Sequence, residues 1–231
     1  MYLAIVFLPL AGALLAGFFG RMLGARTSAN ITSTFVVLSA LLSWVAFYQV
    51  GINGQEAHVE IMRWVSSGDM HVSWALRIDT LTAVMLVVVN TISSLVHIYS
   101  IGYMAHDPYR PRFFAYLSLF TFAMLMLVTS DNFLQMFFGW EGVGLMSYLL
   151  IGFWYHKPEA NAAAIKAFIV NRVGDFGFAL GIFAIFYIFG ALQFDTVFAA
   201  APDQVGKTFT FLSWEFDVLT VICLLLFMGA M

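Results

Sequence analysis

The sequence predicts an all-α polytopic membrane protein with six complete transmembrane helices, the start of a seventh, and a short outer β-hairpin between the first helix pair and the third helix. Three observations predict it. Of 231 residues, 62% are hydrophobic and only 10% are charged, whereas an ordinary soluble domain carries about 25% charged residues. Uncharged stretches long enough for a bilayer crossing, which needs about 20 mostly apolar residues, recur along the chain. One segment between them alternates apolar and polar residues with period two. So little polar surface cannot keep a chain of this size in water.

Residues 1–20, 27–55, 80–105, 113–130 and 176–194 contain no Asp, Glu, Lys or Arg. The stretch 132–155 holds one charge, Glu141, and 160–194 holds Lys166, Arg172 and Asp175 in its first half. Complete spans are therefore expected at about 2–20, 29–50, 80–104, 112–129, 132–155 and 162–191. A seventh is expected to begin near 215; its uncharged run breaks off at Met231, so 1–231 is expected to be part of a larger helical domain. No basic residue precedes the first apolar stretch, and Arg21 follows it. That order fits a retained helix rather than a secretory signal. In the loop 51–79, Met70, Val72, Trp74, Leu76 and Ile78 alternate with polar or small residues, and Ser66-Ser67-Gly68-Asp69 signals a turn, which predicts the hairpin. His58 and His71 are expected to face each other across it, but two histidines without a third ligand make a poor zinc site.

Basic residues set the expected orientation. Arg21, Arg26, Arg110, Arg112 and Lys157 fall in the short connections after spans one, three and five, which are expected inside. The longer opposite loops mix Arg63, Arg77 and Lys207 with Glu56, Glu60, Asp69, Asp79, Asp195 and Asp203. A formal net charge of −3 argues against a nucleic-acid partner, which needs a basic patch to neutralise phosphates. Cys223 is the sole cysteine, so no intrachain disulfide or Cys-based zinc set can form; it is expected to be a buried small hydrophobe. Bis-histidine haem ligation needs two membrane histidines and iron–sulfur clusters need cysteines. Redox chemistry in this chain is therefore not expected.

Charges at the bilayer centre cost about 2.5–3.5 kcal/mol each and mark function by default. Glu141 lies ten residues from Asp131 at the outer end of span five, roughly 15 Å at 1.5 Å per residue, or about half the hydrocarbon core. Arg172 and Asp175 lie at similar depth in span six and are i,i+3 partners on one helix face. They read either as a pair that merely neutralises itself or as members of a site. Glu141 has no charged partner within a turn of its own helix, so it pairs elsewhere or takes up a proton; a static hydrogen-bonded carboxylate is the bland alternative. Lys166 either snorkels to the inner boundary or faces inward as a relay. His97 in span three is either a satisfied interior histidine or a relay. Gly139, Gly142 and Gly144 flank Glu141, and Gly177 and Gly181 make a GxxxG spacing, which permits close helix approach.

The run Gly139-Trp140-Glu141-Gly142-Val143-Gly144-Leu145, followed by SYLLIGFWY at 147–155, resembles the antiporter-like subunit L (chain 5) family of respiratory complex I, the proton-pumping NADH:quinone oxidoreductase. Asn171-Arg172-Val173-Gly174-Asp175-Phe176-Gly177 is similar to the family's next signature, and HIYSIGYM at 97–104 with DPYRPRFFAYLSLF at 107–120 agrees as well. The resemblance covers nearly the whole chain. It implies paired inverted five-helix bundles, and a proton path in which a helix-five Glu, here Glu141, pairs with a helix-seven Lys lying just beyond Met231. Arg172, Asp175 and Lys166 would accompany Glu141 on that path. A cation approaching a carboxylate would favour proton release, and its departure would favour uptake. At about 7 Å and an effective dielectric near 20, that interaction is worth about 2.4 kcal/mol.

The resemblance also implies partners. These are the other membrane-arm subunits, the lipid bilayer and protons, with FMN, iron–sulfur clusters and quinone held by partner subunits and no cofactor in this chain. A bacterial inner membrane is preferred over the mitochondrial one on resemblance. The competing readings are a subunit of an Mrp-type cation/proton antiporter and a purely structural membrane scaffold, the latter opposed by Glu141.

Overall fold

A computed structural model describes residues 1–68, 70–211 and 213–231. Helix α1 (Tyr2–Leu23) turns directly into α2 (Ala25–Phe47) through Gly24 at φ 83°, a left-handed backbone that glycine adopts without a Cβ penalty. A π-helical turn, Tyr48–Ile52, extends α2, so the second span runs a few residues past the expected limits at both ends. Helix α3 (Thr80–Tyr103) starts where the Asp79 carboxylate accepts the Thr82 amide, and α5 (Phe133–Ile151) where Asn132 accepts the Gln135 amide. Both are side-chain N-caps that satisfy an orphan donor. Helix α4 (Arg110–Val128) carries Pro111 in its first turn, and α6 (Pro158–Phe189) opens on Pro158, where a missing N–H costs nothing. That proline starts the sixth span earlier than expected. The fifth span stops at Ile151, with 152–155 forming turns. All six spans are long and apolar enough to cross a membrane.

One end of the bundle gathers the elements between the even spans and their successors. There β1 (Ala57–Ser67) pairs antiparallel with β2 (Met70–Ile78), as the alternation predicts; Asp69 of the turn lies outside the described residues. The two histidines do not face each other. The register sets Ser67 opposite Met70, so His71 meets Ser66 and His58 meets Arg77. His58 sits nine residues from the turn and His71 only one, and antiparallel pairing joins positions equidistant from it. His58 Nε2 instead lies 3.1 Å from Asp131.

The Gln135 side chain brackets Ala75 of β2, accepting its amide at 3.1 Å and donating to its carbonyl at 2.8 Å. Arg77 reaches Asp79 at 3.3 Å and Asp195 at 2.5 Å. Burial works against charge on both Arg77 and Asp79. For Arg77 the two carboxylates win, and it stays above the ordinary arginine range. For Asp79 the Thr82 hydrogen bonds and Arg77 win, and it stays below the ordinary carboxylate range.

The connection after α6 contains a short helix α7 (Phe194–Ala200) and a second hairpin, β3 (Thr208–Phe211) with β4 (Trp214–Asp217). Neither element is among those expected from the sequence pattern. Asp217 then caps α8 (Val218–Ala230), so the seventh helix starts at 218 rather than near 215. On α8, Val218 and Ile222 turn inward and Cys223 is exposed, contrary to the expected burial. A 100° step separates consecutive residues, which carries Cys223 off the buried face.

Close approach holds α4 against α5 and α6 against α8. A Cβ on Gly139 would sit 2.6 Å from the Leu127 backbone, and those on Gly177 and Gly181 would meet Met228 and Leu226 at 2.7 and 2.8 Å. Backbone cannot yield as a flexible side chain can. Gly139→Ala is expected to destabilise the full-length subunit by about 1–3 kcal/mol, the range for overpacking, read as a lower denaturation midpoint; an unchanged midpoint contradicts this contact.

Between α2, α3 and α4 runs a buried polar seam. Asn90 donates to Ser43 at 2.8 Å, and Ser94 donates to the Asn90 carbonyl at 2.7 Å. His97 is fully buried. Its Nδ1 lies 2.8 Å from the Ser93 carbonyl and its Nε2 3.1 Å from the Ser118 hydroxyl. Both ring nitrogens thus have a hydrogen-bond partner, and His97 joins α3 to α4.

Candidate functional site

Helices α5 and α6 run antiparallel across a six-residue connection and meet at mid-length. Glu141 is the ninth of 19 residues in α5, while Arg172 and Asp175 are the fifteenth and eighteenth of 32 in α6. The midpoints coincide, so the three charges share one level. Arg172 Nη1 pairs with Glu141 Oε2 across the helix interface and lies 3.5 Å from Asp175 Oδ2 on its own helix. One guanidinium therefore serves two carboxylates. The Glu141 side chain is 26% exposed and that of Asp175 only 8%, which separates a more open acid from a more enclosed one. Phe168, a turn before Arg172, places its ring 4.6 Å from the guanidinium carbon, a cation–π contact that steadies the cation without neutralising it.

Beside this cluster lies a cavity of about 460 Å³ whose mostly apolar walls include Phe120, Leu127 and Gly229 of α8, with Trp140, Ser147, Asn171 and Asp175 as its polar members. Trp140 stacks on Phe178 at 5.1 Å, which holds the indole at the cavity edge. Ser147, Asn171 and Trp140 carry no charge that would mark them as site residues in the sequence. Helical spacing carried the signal: Trp140, Gly144 and Ser147 fall on one face of α5, and Asn171 and Asp175 on one face of α6.

Of the four residues singled out in the sequence, the fold brings Glu141, Arg172 and Asp175 together and leaves Lys166 apart. Lys166 is exposed and lies six residues before Arg172, about 9 Å along the helix. Among the described residues it makes no ion pair, and no group of three His, Cys, Asp or Glu is placed to hold a metal ion. Arginine stays protonated in proteins, so the groups here that can exchange a proton are the two carboxylates. An arginine between them can favour charge on either by shifting a fraction of its reach.

Two family models match the chain, and together they cover more than half of it. Residues 64–114 match the N-terminus of complex I (NADH-ubiquinone oxidoreductase) chain 5. Residues 130–231 match the transmembrane region described as NADH:quinone oxidoreductase/Mrp antiporter. The NADH-quinone oxidoreductase subunit L of Rhodobacter capsulatus is 54% identical over 234 residues, covering 98% of this chain and 33% of that protein. The NADH-ubiquinone oxidoreductase chain 5 of Triticum aestivum is 55% identical over 230 residues, covering 100% of this chain and 34% of that one. The chain thus spans about a third of the length of these relatives. Among solved structures, the archaeal membrane-bound sulfane sulfur reductase aligns with a TM-score of 0.81 at 18% identity, over 99% of this chain and 44% of that one. The Mrp complex from Dietzia sp. DQ12-45-1b aligns with a TM-score of 0.76 at 20% identity, over 99% of this chain and 23% of that one. These two likenesses establish the fold alone. With the matches running along the chain and the charged cluster lying inside the second of them, the chain belongs to the complex I subunit L (chain 5) family of antiporter-like membrane proteins.

Proposed function

We propose that this chain works within a proton-translocating subunit of the membrane arm of NADH:quinone oxidoreductase. Residues 1–231 would be the N-terminal part of its antiporter-like domain. The observation that carries the reading is the mid-membrane bridge in which Arg172 contacts both Glu141 and Asp175. Charges at that depth are expensive, and three at one level, with Asp175, Asn171 and Ser147 bordering an adjacent cavity, suit transfer better than support. Glu141 is the proton-exchanging group. Arg172 sets which carboxylate bears the charge, and Asp175 is its second partner. Lys166, some 9 Å nearer the basic end of the bundle by helix rise, serves the entry side of the path.

Oxidation of NADH by quinone, with FMN and iron–sulfur clusters, belongs in this reading to partner subunits; this chain contributes no redox group, and the enzyme activity is that of a translocase. Its neighbours are other membrane-arm subunits and lipid. Relatives with similar matches come from bacteria and from plants, and we place this chain in a bacterial inner membrane. The second reading, an Mrp-type antiporter subunit, follows from the shared description of the matched transmembrane region. The two separate in proteoliposomes holding the complete complex. NADH oxidation should drive lumen acidification at a rate independent of sodium, whereas a sodium requirement for proton movement supports the antiporter and overturns our reading.

Sidedness is tested in the same preparation. Arg21, Arg26, Arg110 and Arg112 lie in the terminal turns of α1, α2 and α4, and Lys157 just before α6, at one end of the bundle, with the 51–79 hairpin at the other. With Cys223→Ser as background, cysteines at Ser67 and His106 should react differently with an impermeant reagent in right-side-out vesicles: Ser67→Cys labels and His106→Cys does not. The reverse pattern overturns the orientation.

A further inference from the structure

We propose that the basic end of the bundle holds a binding site for the phosphodiester headgroup of an anionic phospholipid, seated between the end of α1 and the start of α4. A cavity of about 650 Å³ opens there, with Arg21 on one wall and Arg112, Tyr109 and Tyr155 on the other. Arg112 and Tyr155 also border a second cavity of about 410 Å³ on the α5–α6 side, so Arg112 stands between two spaces.

The state of Arg112 is the central observation. Its guanidinium lies 4.8 Å from the ring centres of both Tyr109 and Phe153 and 5.4 Å from that of Tyr155. It spends one donor on the Phe153 carbonyl at 3.0 Å, and its Nε–H is buried with no acceptor. Aromatic rings hold the cation in place but do not neutralise it. Among the described residues no carboxylate lies within ion-pair distance of Arg112 or Arg21; the ion pairs of this chain involve His58, Arg77 and Arg172. The nearby Asp107 is already occupied, accepting the Trp154 indole N–H at 2.9 Å and the Tyr109 amide at 2.8 Å. Two arginines that have no carboxylate partner among the described residues therefore line one cavity.

Below the arginines, one turn deeper into the bundle, the same cavity is floored by Ala16, Gly17 and Ala115. A Cβ on Gly17 would lie 3.7 Å from that of Ala115, and Ala16 and Ala115 are buried, so α1 and α4 pack together behind the mouth and give the cavity a small apolar floor. A charged mouth above an apolar floor at a membrane boundary matches a lipid, whose phosphate accepts charge-assisted hydrogen bonds while its acyl chains stay in the bilayer beside the helices. Basic pockets between membrane helices bind anionic headgroups on the same physical basis.

Native mass spectrometry of the complete, detergent-delipidated complex, titrated with phosphatidylglycerol or phosphatidylcholine, tests the site. We expect at least one phosphatidylglycerol held about tenfold tighter than phosphatidylcholine, the effect of about 1.4 kcal/mol. Arg112→Gln and Arg21→Gln should each remove that preference several-fold and leave phosphatidylcholine binding unchanged. Arg21 is exposed, so its variant keeps the test valid if Arg112→Gln fails to assemble. Inorganic phosphate at millimolar concentration should not displace the lipid. Equal retention of both lipids, or identical binding by wild type and Arg21→Gln, overturns the site; displacement by phosphate makes it a free-anion site and overturns the lipid assignment.

Discussion

Glu141→Gln in the full-length subunit is expected to cut proton translocation through that subunit by at least about tenfold while the complex assembles normally. A positioned proton-transfer group contributes roughly 10²–10⁴-fold where transfer limits the rate; other pumping subunits would mask part of this in the whole-complex ratio. Glutamine matches glutamate in volume and its carbonyl oxygen still accepts from Arg172, so the α5–α6 contact survives. It cannot ionise. Arg172 then retains only Asp175, at 3.5 Å, and the two-carboxylate arrangement becomes a simple i,i+3 pair. The measurement is the proton-to-electron ratio during NADH oxidation in proteoliposomes, with assembly checked by native gel. An unaltered ratio with normal oxidation would show that Glu141 is a structural acceptor for Arg172 and carries no proton.

The parts of this architecture that were legible in advance are those governed by local patterns. Long apolar runs, four of them uncharged, mark the six spans within a few residues, and the alternation from Met70 to Ile78 marks the first hairpin. The spacing of Gly177 and Gly181 pointed to a close helix contact, which α8 makes through Met228 and Leu226. Boundaries shifted where caps decide them: Pro158 and Asp217 start helices at positions set by one residue's chemistry, not by average hydropathy. The second hairpin was missed because its strands are only four residues each, too short for alternation to stand out beside the apolar run that follows. At the site, depth arithmetic correctly put Glu141, Arg172 and Asp175 at one level. It gave no azimuth, and hence did not reveal that Arg172 turns toward α5 rather than serving Asp175 alone. Lys166 shares the helix but not the face, and the same limitation hid Ser147 and Asn171.

Arg172 should prove coupled to both carboxylates, and more strongly to Glu141 than to Asp175. It contacts Glu141 directly across the helix interface, whereas Asp175 is 3.5 Å away along its own helix. Contacting charges show interaction energies of about 0.5–3 kcal/mol in double-mutant cycles, and independent sites add. Removing Arg172 alone should be the most damaging single change, because it strands two mid-membrane carboxylates without a cation. Asp175→Asn should slow translocation only partially, since Glu141 keeps its arginine. Arg172→Ala should in turn reduce the extra damage caused by losing Asp175. If Asp175 is instead an obligatory carrier, Asp175→Asn will block translocation as fully as Glu141→Gln. Two cycles, Arg172 with Glu141 and Arg172 with Asp175, measured as proton-to-electron ratios on assembled complexes, distinguish these cases. Strict additivity in both would show that the bridge has no part in moving protons, whatever it contributes to packing.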